Sequence, residues 1–330
     1  MKSVDLRSAS AILAAALLYV PASSAPVRSR AFTLTAERSS YLLGEPVYLR
    51  IQSAKPATPS LEEGTVLLAI KCAGEGERIY RPPLRLRGTP AAPARMPESS
   101  GGSVRFARII FSDGELVFGK PGRYRLRLLS AASSASAGPG KVPGSGTSQT
   151  NGDAAGLALS DSLAVVFREP TLPPDKQAYA IISRNPGEYG LAVYLEGGDQ
   201  LRQGLAIMSD LAASQSAYSR VASFVLSSDW SQDFTDYRGP HSRPIDLQKA
   251  LAWAQWDRSQ GAYIPLRNAY RLKSGADILA GRNPSAPGLD AVRGKLAGFM
   301  ASLTPEEAAW FRSFSPPVPT SLTAPQAPSK

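Results

Sequence analysis

Three aspartates offer the densest chemistry in the chain. Asp229, Asp233 and Asp236 stand at i, i+4 and i+7, so a helix through them presents three carboxylates on one face. Trp230, Phe234 and Tyr237 repeat the spacing and add an adjoining aromatic face. Carboxylates beside aromatic rings suit acid and base work on a sugar, or the holding of a cation. An amphipathic helix with its aromatic side in the core and its acidic side in water gives the same pattern, and is the more economical reading. The alternate-residue acidic loop with a central glycine that calcium hands use is missing.

One histidine, His241, and one cysteine, Cys72, limit the other chemistries. A single imidazole excludes sites built on two, the HExxH zinc proteases among them. A single cysteine excludes an intrachain disulfide. His241 lies in Arg238-Gly239-Pro240-His241-Ser242-Arg243-Pro244, an exposed loop by composition, and would be the general base of any Ser-His or Cys-His enzyme. Cys72 closes the apolar run 65–72, where a thiol acts as a small hydrophobe. No Gly-x-Ser-x-Gly elbow precedes a helix. Catalysis through Cys72 or His241 is therefore not expected, nor is a cofactor or metal.

Arginine supplies the remaining candidate surface. After the Pro121-Gly122 turn, Arg123, Arg125 and Arg127 alternate with Tyr124, Leu126 and Leu128, which makes a strand with one cationic and one apolar face. With Arg78, Arg81, Arg85 and Arg87 this face is either a track for an anionic polymer or a solvated surface that resists unwanted sheet pairing. Trp253 and Trp256, at i and i+3 with Tyr263 near them, suit helix packing better than a stacking platform.

The elements that must position these residues fall into two halves. The chain has 330 residues, enough for two cores, and a hydrophobic content of 43% excludes wholesale disorder. A formal charge of +10 favours anionic polymers, lipid headgroups or acidic proteins as partners without specifying one. Lys2 and Arg7, the apolar run 9–20 and small residues at 21–25 follow the plan of a signal peptide, with cleavage best placed after Ala22. An uncleaved short anchor is the alternative. The expected mature protein is secreted or periplasmic and has no transmembrane segment.

In the front half, Phe32, Leu34 and Ala36 alternate, and Val47, Leu49 and Ile51 do so after a Gly-Glu-Pro turn. Runs at 65–72, 79–80, 104–111, 119–129 and 157–167 complete a series of short strands punctuated by Gly and Pro. Segment 130–156, almost without large apolar residues, reads as a flexible loop at the tip of a hairpin between the strands on either side of it. An interdomain linker there is the other possibility. Tyr41-Leu42-Leu43-Gly44-Glu45-Pro46-Val47-Tyr48-Leu49 resembles the Tyr-x-x-Gly-Glu-x-Val-x-Leu opening of bacterial immunoglobulin/fibronectin-III-like modules. The resemblance implies a β-sandwich in which the ring of Tyr124 is buried and its hydroxyl bonds upstream backbone.

Past 169–175, a Pro-rich boundary, the period becomes helical. Leu201, Leu205, Met208 and Leu211 form one stripe, with Asp199 as its cap, and Tyr218, Val221, Ala222, Val225 and Leu226 another. Segment 245–258 and the series Leu289, Val292, Leu296, Phe299 and Leu303 give two more. Thr304-Pro305-Glu306-Glu307 starts a last helix through Phe314 with a capping box. The first two stripes, joined through small residues, resemble a tetratricopeptide-type helical hairpin, though no repeat of fixed period accompanies them.

The expected architecture is thus multi-domain, all-β plus all-α. A signal peptide (1–25) precedes an immunoglobulin-like antiparallel sandwich (30–168), a linker (169–175), a helical bundle (176–314) and a disordered tail (315–330). The expected function is non-enzymatic recognition of a protein or an envelope polymer. A polysaccharide hydrolase using Asp229, Asp233 and Asp236, or an electrostatic binder using the Arg face, are the alternatives; no specific nucleic acid is expected.

Overall fold

The computed structural model describes residues 31–53, 66–80, 103–112, 114–130, 158–198, 201–235, 242–305, 307–308 and 311. The signal peptide, Asp199, Asp236, His241, Arg81, Arg85, Arg87 and the tail lie outside the described residues, as does nearly all of the 130–156 loop. A strand-rich N-terminal part is followed by a helical C-terminal region.

The strands are β1 (Phe32–Ala36), β2 (Ser40–Leu42), β3 (Val47–Ser53), β4 (Val66–Cys72), β5 (Glu77–Tyr80), β6 (Ser103–Ile109), β7 (Phe111–Ser112), β8 (Glu115–Leu116), β9 (Gly122–Ser130) and β10 (Leu163–Arg168). One sheet has the order β1-β3-β6 and is antiparallel; the other has the order β2-β10-β9-β4-β5 and is mixed, because β2 runs parallel to β10. β9 and β10 pair antiparallel, from Leu163 opposite Leu126 to Phe167 opposite Gly122, which is the hairpin pairing the alternation predicts. Inward residues of both sheets share one apolar cluster: Leu34, Leu49 and Ile51 from the first, Leu68, Ile70, Leu126 and Val165 from the second.

Tyr124 lies within that cluster. Its ring is 2% exposed and meets Phe118 and Phe167 edge-on. Its hydroxyl donates to the Lys120 carbonyl at 2.9 Å, and burial together with Cys72 beside it pushes the phenol up to about 12. The Tyr41–Glu45 motif has an equally local cause. Gly44 adopts φ +83, where a side chain would be strained and would crowd Ile182. Glu45 turns back to accept from the Leu42 amide at 2.6 Å and to hold Arg38 at 2.9 Å.

The helical region contains, among the described residues, seven helices: α1 (Pro173–Arg184), α2 (Pro186–Leu195), α3 (Arg202–Ala213), α4 (Ser219–Trp230), α5 (Leu247–Trp253), α6 (Tyr263–Arg282) and α7 (Leu289–Ala301). A short hairpin of β11 (Phe234–Thr235) and β12 (Ser242–Arg243) separates α4 from α5. The stripes of α4 and α7 are buried as their periodicity requires. The capping box is formed, Thr304 N–H donating to Glu307 at 2.9 Å and Glu307 N–H to Thr304 Oγ1 at 3.2 Å.

Four helices differ from expectation. α1 begins inside the Pro-rich 169–175 stretch, because proline at the first turn costs no hydrogen bond. α2 is likewise opened by Pro186. α6 carries Arg267 and Asn268 among its buried residues, so its apolar stripe is broken in the sequence. α5 is shorter than the predicted 245–258, ending where Ala254 turns extended. No helix among the described residues is long and apolar enough to cross a membrane.

The two parts share a core. Tyr48, Ile110 and Phe111 from the strand-rich part belong to the same apolar cluster as Ile182, Tyr189, Met208, Tyr218 and Val225 from the helical region. Two buried tyrosines of the helical region grip one turn of the strand part: the Tyr189 hydroxyl donates to the Gly44 carbonyl at 2.9 Å and that of Tyr218, just before α4, to the Leu43 carbonyl at 2.7 Å.

Tyr124→Phe removes one hydroxyl and keeps the ring. It is expected to lower the unfolding free energy by about 1 kcal/mol, seen as an earlier urea midpoint with an unchanged slope.

Candidate functional site

The outer face of the five-stranded sheet carries the expected arginines. Arg123 and Arg125 are exposed and Arg127 is half-exposed, on the side of β9 opposite Tyr124, Leu126 and Leu128. Lys71 on β4 stands directly opposite Arg125, and Arg168 extends the same face along β10. Arg127 forms a two-pronged pair with Glu77 at 2.6 and 2.8 Å, and Lys120 at the strand's approach pairs with Glu75 at 2.7 Å. Among the described residues Lys71, Arg123 and Arg125 form no ion pair. Neighbouring strands lie about 4.8 Å apart and alternate residues about 6.7 Å along a strand, so these cations form a grid of that pitch. Like charges directly opposed across a sheet repel. Arg78, grouped with this face by sequence, instead turns inward at its end and donates to the Val117 carbonyl.

A second charged constellation, which sequence reasoning missed, lies buried between the two parts. Glu196 follows α2 in the left-handed conformation, φ 59, and is 2% exposed. Three guanidiniums converge on it: Arg108 of β6 at 3.1 Å, Arg267 of α6 at 2.9 Å and Arg271 of α6 at 2.6 Å. Arg108 also donates to the Tyr194 carbonyl at 2.5 Å, and Arg271 to the Gln232 side chain at 3.1 Å. Burial pushes the Glu196 carboxyl up, but Arg267, Arg271 and Arg108 outweigh it and hold the group far below the usual carboxylate range. Beside them Tyr48 and Tyr263 stack with centroids 4.3 Å apart. Glu37, between β1 and β2, accepts from the Tyr263 amide at 2.5 Å in the first turn of α6; burial raises its carboxyl against the pull of that bond. The sequence signal for this network was Arg267, a charged residue that interrupts the apolar stripe of α6.

The aspartate face does not form. α4 ends at Trp230, so Asp229 and Asp233 do not share a helical surface, and Asp236 lies outside the described residues. Asp229 is buried; its carboxylate accepts from the Gly198 amide at 2.7 Å and pairs with Arg243 at 3.1 Å. Gly197 is required here, because a Cβ on it would stand 2.6 Å from that of Asp229. Asp233 accepts from the Ile245 amide at 3.2 Å and pairs with Arg282 at 2.6 Å. Trp230 is covered by Arg243 and Lys249, 4.4 and 4.1 Å from its ring centre. Trp253 packs against the cluster shared with the strands, whereas Trp256 packs edge-on against Phe299 in a different one, so the two rings do not make a platform. Cys72 is buried at the end of β4.

No protein-family model matches this chain, and no curated protein matches it.

Glu196→Gln leaves three buried guanidiniums without their counter-charge and is expected to cost about 3–5 kcal/mol of unfolding free energy by urea titration. The carboxyl's value is depressed from 4.5 on folding, so its contribution is complete above pH 4.5 and is lost as pH falls below that. The gap between wild type and Glu196→Gln should therefore narrow progressively on acidification below pH 4.5, measured at matched ionic strength.

Proposed function

We propose that the chain is an exported, non-enzymatic binding protein that holds an anionic envelope polymer on the outer face of its five-stranded sheet. In this reading the strand-rich part is an immunoglobulin-like sandwich and the helical region a bundle, with α3 and α4 as its helical hairpin. Three observations support the sandwich: the order β1-β3-β6 facing β2-β10-β9-β4-β5, the parallel β2–β10 pair, and the Tyr124 hydroxyl bonded back to Lys120. The signal-peptide plan of residues 1–25 supports export.

The observation that carries the binding reading is Lys71 opposite Arg125, beside Arg123, none of them in an ion pair among the described residues, since Glu77, across from Lys71 on β5, gives its carboxylate to Arg127. A sheet that opposes two cations and leaves them unpaired is stabilised by any anion that bridges them. The grid suits a linear polymer bearing charges every few ångströms better than an isolated ion. Polysaccharide hydrolysis by the aspartates lacks such support, since Asp229 and Asp233 are spent on backbone amides and arginines.

Binding of polyphosphate and of polygalacturonate, in separate titrations, tests the proposal. Affinity for at least one should fall steeply as salt rises, and Arg125→Glu should weaken it tenfold or more while leaving the melting temperature nearly unchanged. Binding that ignores both salt and Arg125→Glu, or no binding to either polymer at low salt, would overturn it.

A further inference from the structure

We propose that the polymer is a phosphate-linked chain without rings, and that it lies along Lys71, Arg125, Arg123 and Arg168, a diagonal track of four cations across three strands. This inference rests on the binding reading given above and narrows it to one class of ligand and one path over the sheet.

The path follows from register. Lys71 faces Arg125 directly, about 5 Å away across the β4–β9 pair, and Arg123 follows about 7 Å along β9. Arg123 in turn faces Val166, so Arg168, two residues further along β10, is its diagonal neighbour at about 7–8 Å. The steps add to a path of about 20 Å. Arg168 is exposed and, like the other three, forms no ion pair among the described residues. Beyond Arg125 the track ends: Arg127 is held by Glu77, and Ala69, opposite it on β4, is buried.

The class of ligand follows from what stands beside the cations. The sheet turns out Ser40, Ala164, Val166, Ala69 and Ile79 around them, and no outward position of its five strands among the described residues holds an aromatic ring. The charges of a polyuronate hang from sugar rings, and the bases of a single-stranded nucleic acid seek aromatic faces to stack on. Neither finds such a platform here. A phosphodiester carries its charge in the chain itself, so the chain can lie close over the short side chains of Ala164 and Val166. Three of the four cations are arginines, whose planar forks grasp phosphate oxygens two at a time.

The test measures binding of oligo(glycerol phosphate) and of polyphosphate to the full chain, beside oligogalacturonate and oligothymidylate of equal charge number. At least one phosphate-linked probe should bind tenfold or more tightly than oligogalacturonate and oligothymidylate, and the better of the two phosphate probes identifies the source. Four contacts to a single chain set the slope of log affinity against log salt at about −3, and Arg168→Gln should bring it to about −2 with the melting temperature nearly unchanged. Lys71→Gln should lower the slope equally, so a folding fault in one variant does not decide the result. A slope that neither variant moves, or uronate or thymidylate bound as tightly as phosphate, would overturn this inference and leave the sheet face as the binding site. No binding of any probe at low salt would overturn both.

Discussion

A carboxylate taken out of water must be surrounded by donors, and in this protein that requirement fixes how the strand-rich part and the helical region meet. Glu196 stands at the end of α2, where the helix dipole disfavours an acid, and in a backbone conformation that side chains seldom adopt. It is held there by Arg108 from a strand and by Arg267 and Arg271 from α6, so one group ties together three elements far apart in sequence. Desolvating four ions costs several kcal/mol apiece, and the attraction recovers this only when the geometry is complete. Such a network adds little net stability over an apolar one of equal volume. What it adds is intolerance of any other arrangement, because a shifted α6 would leave buried charges unpaired.

The junction also decides which surfaces remain available. Helical contacts reach the strand part through β7 and β8, through Tyr48, and through the carbonyls of Leu43 and Gly44. Arg123 and Arg125, on the outer side of β9, stay exposed. Attachment on one side therefore leaves the cationic face of the five-stranded sheet open, and open in a fixed orientation relative to the helices.

Where packing follows a single period, the sequence was readable. Tyr124, Leu126 and Leu128 are buried as strict alternation demands, and the α4 and α7 stripes lie inside as a helical period demands. The Thr304–Glu307 capping box was equally legible, since both partners lie within one turn. Long-range polar pairing was not. Nothing near Glu196 announces an arginine 88 residues before it or another 71 residues after it. The same blindness misled the reading of Asp229 and Asp233: their spacing fitted a helix, but amides of Gly198 and Ile245 claim their oxygens, and the chain leaves the helix after Trp230. Local period reports burial, and it reports nothing of which distant group satisfies a charge.

The placement of unpaired cations distinguishes a binding face from a protective one. Charges that keep a sheet from pairing with another chain belong on edge strands, where backbone donors and acceptors lie open. In this sheet the edges are β2 and β5, whereas Arg123, Arg125 and Lys71 stand on β9 and β4, whose backbones are already paired on both sides. The nearby acids do not correct the surplus: Glu77 is taken by Arg127 and Glu75 by Lys120. Interior strands thus carry a cost of like-charge opposition that edge protection does not require. Glu77 does stand across from Lys71 on β5, but its carboxylate oxygens lie on Arg127, so the interior strands of this face keep a surplus of positive charge that edge protection does not explain.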